Sequence, residues 1–156
     1  MKKLLMILCT VFALCACGDE IIPNANRIEG QYVGVLQTTS LTDGEVFTDT
    51  GVQFSLSTAS ATTMTLTMHN THFVAMMPRL TMQAAGITNQ MVNFEHILTG
   101  PEGGIVPTIG DIKYPKYIIT NLTGKRIVSA DKDGAGALSL TFNCRGYLVE
   151  YVGVTK

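Results

Sequence analysis

The residues with the most chemical potential are gathered in one window. All six methionines beyond residue 17 fall between positions 64 and 91: Met64, Met68, Met76, Met77, Met82 and Met91. His69 and His72 share that window. Soft thioethers beside imidazoles suit copper, so the stretch from Met68 to Met77 is a conceivable copper site. A plainer reading competes with it. Met64, Met68 and Met82 alternate with polar residues, as core positions of a strand do. His69 is on the opposite parity from Met68, so on a regular strand the two side chains face apart. Methionine also fills irregular cores without any metal. No metal or cofactor is therefore assigned, and copper stands behind the readings given below. His96, beside Glu95, reads as a solvated or capped side chain.

Three further motifs bear weighing. Asp49-Thr50-Gly51 is the tripeptide of aspartic proteases, whose chemistry needs two carboxylates sharing a proton. One copy is present, and Phe47-Thr48 before it lacks the apolar strand such a motif ends, so a turn or strand start is expected. Asp131-Lys132-Asp133-Gly134-Ala135-Gly136 looks like the start of a calcium loop. An EF-hand loop requires an oxygen ligand at position 5 and Glu at position 12, where this chain has Ala135 and Phe142, so a polar hairpin turn is expected instead. Gly100 to Gly104 lacks the Lys-Ser/Thr that opens the helix of a phosphate loop. No nucleophile elbow or related signature appears. The catalytic set is therefore empty, and a non-enzyme is expected.

The N-terminus is an address. Lys2 and Lys3 precede an apolar run of eleven residues, Leu4 to Leu14. That is too short to span a bilayer, which takes about 20 residues, and fits the apolar segment of a secretory signal. Leu14-Cys15-Ala16-Cys17 then resembles the lipobox of bacterial lipoproteins: a large aliphatic, two small residues and Cys. The resemblance implies cleavage before Cys17 and acylation of Cys17. The boundaries expected are a signal peptide over 1–16, a lipidated tether over 17–27 and a domain over 28–156. Gly18 after Cys17 and the acidic Asp19-Glu20 favour the outer membrane, as in the surface-export signals of Bacteroidetes lipoproteins, and leave open which leaflet carries the domain.

Processing changes the arithmetic. The mature chain keeps nine basic and twelve acidic residues, for a formal charge of -3. That excludes the basic stripe of a nucleic-acid binder. Of four cysteines only Cys144 remains besides the anchor, so no intrachain disulfide is possible and the fold must stand on its core. Cys144 lies on the apolar parity of Leu138-Ser139-Leu140-Thr141-Phe142-Asn143-Cys144 and reads as a buried thiol.

The elements that position these residues are strands. Thr, Val and Ile number 20, 12 and 12, and β-branched residues favour pleated sheets. Apolar and polar residues alternate over Val52–Ser57, Met64–Met68, Leu80–Ala84 and Leu138–Cys144, the pattern of antiparallel sheets with one wet face. Turn residues divide the chain into about eight to ten strands, expected near 30–39, 46–57, 62–69, 72–77, 79–85, 91–98, 105–112, 117–129 and 137–153. Such a meander removes its edges by closing into a barrel. Tyr32-Val33-Gly34-Val35 recurs as Tyr151-Val152-Gly153-Val154, which suits first and last strands that pair.

The domain resembles the calycin-like β-barrels of small Bacteroidetes lipoproteins. The matching residues are Gly30-x-Tyr32-x-Gly34-x-Leu36, Asn70-Thr71-His72-Phe73, Met77-Pro78-x-Leu80, Tyr117 to Gly124 and the long closing strand. Tyr32 takes the place of the Trp that lipocalins carry in a Gly-x-Trp. The resemblance implies an all-β, antiparallel up-and-down barrel. An eight-stranded barrel either fills itself or encloses one small ligand. Two functions follow. In the first, the protein is an anchored binding module whose interior, lined by Met64, Leu66, Met68, Met82, Leu140 and Phe142, holds a small apolar ligand. In the second, it is a structural or interaction lipoprotein whose outer surface docks an envelope protein.

Overall fold

The computed structural model describes residues 28–93, 95–128 and 135–156. The signal peptide, Cys17, the tether and positions 131–134 of the expected hairpin turn lie outside them. The strands are β1 (Gly30–Ser40), β2 (Val46–Thr58), β3 (Thr63–Thr71), β4 (Leu80–Val92), β5 (Glu95–Thr99), β6 (Thr108–Ile109), β7 (Ile112–Lys113), β8 (Ile119–Val128), β9 (Gly136–Cys144) and β10 (Tyr147–Thr155). Every pairing is antiparallel, in the order β3-β2-β1-β10-β9-β8-β5-β4, and β3 pairs with β4 to close the ring. Eight strands thus form a closed up-and-down barrel. The short β6–β7 hairpin branches from it through the pairing of Gln83 with Thr108.

Period-two alternation builds the interior. β3 reads Met64, Leu66 and Met68 inward, and β9 reads Leu138, Leu140, Phe142 and Cys144 inward. The inward positions of all eight barrel strands merge into one hydrophobic core. The glycine echo lies at the seam. Gly34 pairs with Gly153, flanked by Val33–Val154 and Val35–Val152. A Cβ on Gly34 would stand 2.0 Å from the carbonyl oxygen of Val152, so glycine is what lets these strands approach. Beside the seam Tyr151 stacks on Phe54, with centroids 4.0 Å apart. Its hydroxyl donates to the carbonyls of Tyr32 (2.9 Å) and Val52 (3.2 Å).

The barrel has two rims. Ile28, the start of β1 and the end of β10 lie at one, here the proximal rim. The loops β1–β2, β3–β4, β5–β8 and β9–β10 lie at the other, the distal rim. Near the proximal rim Arg126, fully buried, donates from Nε to the Tyr32 hydroxyl (2.6 Å), which itself donates to the Ile28 carbonyl (2.7 Å). Burial raises the Tyr32 pKa, and the Arg126 charge opposes that shift.

Several expected elements differ. The strand expected over 72–77 is a loop, because its apolar residues turn inward to cover the distal rim. The strands expected over 79–85 and 91–98 are divided differently: β4 runs unbroken through Gly86, whose φ of 84° accommodates a bulge opposite Met64–Thr65. The break falls instead at Asn93, at φ 50°. The strand expected over 105–112 reduces to a bridge at Ile105 and the β6–β7 hairpin. The beginning of 117–129 is a 3-10 turn, Pro115–Tyr117. The single strand expected over 137–153 is two, β9 and β10, joined at Arg145 and Gly146 with φ of 53° and 82°. Two successive positive φ angles make a tight hairpin turn.

Candidate functional site

The loop between β3 and β4, residues 72–79, is the most distinctive surface of the distal rim. Phe73 anchors it. Its ring is buried against Phe142, with centroids 6.0 Å apart. Its carbonyl accepts a hydrogen bond from the buried Thr38 hydroxyl. Its N–H points at the Met77 sulfur (3.5 Å), and the Met77 N–H donates to Val74 O (3.0 Å). These contacts make a tight turn with Met77 inside and Met76 at its apex, 95% exposed.

A groove lies on either side of that apex. One, of about 390 Å³, runs between the loop and the β1–β2 turn. Its apolar walls are Val46, Phe47, Val74, Met76 and Tyr147, and Asp43 and Glu45 stand at its margin. The other, of about 350 Å³, is lined by Val74, Met76, Met77, Pro78, Arg145 and Tyr147. Both volumes fall within the ~300–1,000 Å³ common for ligand sites. The groove walls are firmly held. The β1–β2 turn is closed by Ser40 N–H to Glu45 O (2.9 Å) and Gly44 N–H to Ser40 O (3.0 Å). Leu41 N–H to Gly146 O (2.9 Å) joins it to the β9–β10 turn. Asp43 accepts from the Glu45 N–H (3.1 Å), and its contact with Ser40 followed by this bond holds its carboxyl below the usual range.

The loop's first and last residues, His72 and Arg79, meet at Asp49. His72 Nε2 lies 3.2 Å and Arg79 NH1 3.1 Å from the same Asp49 oxygen, and the Phe47 ring meets the His72 ring edge-on at 5.2 Å. Neither that Asp49 oxygen nor His72 Nε2 has a hydrogen-bond partner; Asp49 is held by the Arg79 ion pair on one side and the close His72 contact on the other. Asp49-Thr50-Gly51 is thus structural. Gly51, at φ 69°, is the extra residue of a β-bulge between the pairs Gly34–Val52 and Val35–Thr50.

The six interior residues expected to line a ligand cavity, Met64, Leu66, Met68, Met82, Leu140 and Phe142, are brought together. Their exposure is 0–1%, and none of them lines either distal groove. The soft-ligand window is dispersed. Met64, Met68 and Met82 point into the core, and Met76 points to solvent. His69 faces outward with Nε2 2.8 Å from Ser55 Oγ, and His72 sits on Asp49. His96, expected to be solvated or capped, is buried instead, with Nδ1 3.1 Å from Asn89 Oδ1. Its inward parity on β5 decides this. Cys144 is buried as expected, and desolvation pushes its thiol up to about 12.

Sequence reading missed Arg126, Thr38 and Tyr147. Arg126 shares parity with the buried Leu122, which was the available signal. Thr38 and Tyr147 act through loop contacts that no local pattern encodes.

The described residues define an eight-stranded up-and-down barrel with a buried apolar interior. No protein-family model and no curated protein sequence matches the chain. Among solved structures it is similar to a putative outer membrane protein from Bacteroides fragilis NCTC 9343, with 16% identity and a TM-score of 0.57. The match covers 86% of this chain and 53% of that one, so the chain spans about half the length of that protein. At this identity the likeness is one of fold.

Proposed function

We propose that the chain is a lipid-anchored, non-enzymatic protein of the bacterial outer membrane that docks an apolar group of an envelope protein at its distal rim. The observation that carries this reading is the exposed Met76, raised on an anchored turn between two grooves, over a barrel whose interior side chains are packed. Ligand capture inside the barrel would require displacing Met68, Leu140 and Phe142 from that core. Docking at the rim requires no such rearrangement.

The remaining parts of the reading have separate supports. The lipobox-like Leu14 to Cys17 supports the anchor. The fold likeness to a putative outer membrane protein supports the compartment. Burial pushes the Cys144 thiol up to about 12, which makes it a poor nucleophile. The tethered proximal rim leaves the distal rim facing away from the anchor.

A photo-crosslinking residue at position 76 in the cell-bound protein tests the reading. A discrete adduct with one envelope protein, lost on Val74→Asp, is expected. If crosslinks arise equally from position 57 on the outer wall, docking at the rim is refuted. Saturable binding of a fluorescent fatty acid that Met68→Trp abolishes would return the ligand to the interior. Cys17→Ala should move the protein out of the membrane fraction, and unchanged fractionation would defeat the anchor.

A further inference from the structure

The outer face of the barrel is not uniformly polar. On β1, β10, β9 and β8 the residues Val33, Val154, Ala137 and Ile127 form one cross-strand row, each opposite the next. Val35 and Val152 start a second row beside it. Val35, Ile127, Val152 and Val154 are 44%, 46%, 57% and 60% exposed. The opposite wall shows what an ordinary wet face looks like in this molecule. There the outward pairs are Gln53–His69, Ser55–Thr67, Ser57–Thr65 and Thr67–Gln83. One wall follows the polar-out rule of antiparallel sheets and the other breaks it over four adjacent strands. Contiguous apolar surface of this kind marks a contact.

Position indicates what covers it. Val154 and Ile127 are the penultimate residues of β10 and β8, and Ala137 is the second of β9. The row therefore borders the proximal rim, where the chain enters at Ile28. Eleven peptide steps separate Ile28 from Cys17, and extended chain spans at most ~3.3–3.6 Å per residue, or about 40 Å. A bilayer holding Cys17 is thus within reach of this wall. Lys156, exposed and two residues beyond Val154, lies at the same rim.

We infer that the Val33–Val154–Ala137–Ile127 wall lies on the phospholipid surface that carries the anchor. This inference rests on the anchoring proposed above. The barrel would then lean on the membrane along this wall instead of standing free on its tether, with the distal grooves held at a fixed orientation.

The chain contains no Trp, so a single introduced Trp is an unambiguous reporter. The full-length acylated protein, carrying Val154→Trp, Val152→Trp, Ser57→Trp or Met76→Trp, is reconstituted at low density into phosphatidylethanolamine–phosphatidylglycerol vesicles containing brominated acyl chains. For apolar side chains seated at the head-group boundary, quenching of Val154→Trp and Val152→Trp at least about threefold stronger than that of the other two is expected. Equal quenching at all four positions overturns the inference. So does a blue shift of Val154→Trp without lipid quenching, which would indicate a second copy of the chain as the cover. Two wall variants guard against misfolding of either. The mass of the mature N-terminus reports acylation independently, so a missing anchor and an unoccupied wall give different results.

Discussion

Gly34→Ala tests the closure of the barrel. An added Cβ would meet Val152 O at 2.0 Å and Gly153 Cα at 2.4 Å. Both are backbone atoms of the partner strand, so no rotamer change relieves the clash and β1 must move away from β10. Overpacking of a core costs ~1–3 kcal/mol. Separation at the seam adds one or two weakened backbone hydrogen bonds at ~1 kcal/mol each. The expected loss is about 3–4 kcal/mol. The domain spans residues 28–156, and ~2.1 cal/mol/K per residue gives an unfolding entropy near 0.27 kcal/mol/K, hence a fall in Tm of roughly 10–15 °C. Gly103→Ala is the internal control, because no heavy atom lies within 4 Å of its added Cβ. It should change stability by no more than about 0.5–1 kcal/mol. Thermal denaturation followed by far-ultraviolet circular dichroism reads both. A Gly34→Ala midpoint within about 3 °C of the parent would refute the steric account of the seam.

Other perturbations follow from the same geometry. Gly153→Ala places a Cβ 2.3 Å from the Tyr151 hydroxyl and should cost about 2–4 kcal/mol. Combined with Tyr151→Leu it should cost less than the sum of the two, since both lose the same stacking and hydrogen bonds; additive losses in urea titrations would refute that link. Arg126→Met removes the buried donor to Tyr32 and should cost about 3 kcal/mol, only partly regained by Arg126→Lys, which lacks the planar fork; equal midpoints for all three chains would dismiss its role. Cys144, with its pKa pushed up to about 12, should resist maleimide in the native state and react once denatured. Its folded pKa exceeds the unfolded one, so its contribution is intact below about pH 9 and declines as pH rises from 9 towards 12. Burial raises Tyr32 and Tyr151 in the same direction. Urea midpoints should therefore fall with pH in the alkaline range, less steeply in Cys144→Ala, and a flat profile would contradict the burial of all three groups.

The sequence carried the barrel because alternation is a property of each strand alone. Met64–Leu66–Met68 and Leu138–Leu140–Phe142 announce their inward face without reference to neighbours, and the Gly34–Gly153 echo placed the first strand beside the last. The same rule misled at residues 72–77. Phe73, Val74 and Met77 are apolar because they cover the rim of the barrel, and apolar spacing does not distinguish a wall from a cover. The strand expected to end at residue 85 runs on through Gly86, where glycine serves a bulge and not a turn. The Arg145-Gly146 turn was silent because Arg at a positive φ is not a usual turn residue.

The asymmetry between fold and site has one physical origin. Interior residues answer to a two-residue period, whereas the surface that can bind depends on contacts between turns distant in sequence: Leu41 with Gly146, Thr38 with Phe73, His72 and Arg79 with Asp49. Those contacts fix the turns of the distal rim, and the same loop that covers the core with Phe73 and Met77 leaves Met76 outward. A loop serving only to cover the core could bury or shorten that apex. Met76 thus stands apart from the methionines inside, even though all six shared one conspicuous window in the sequence.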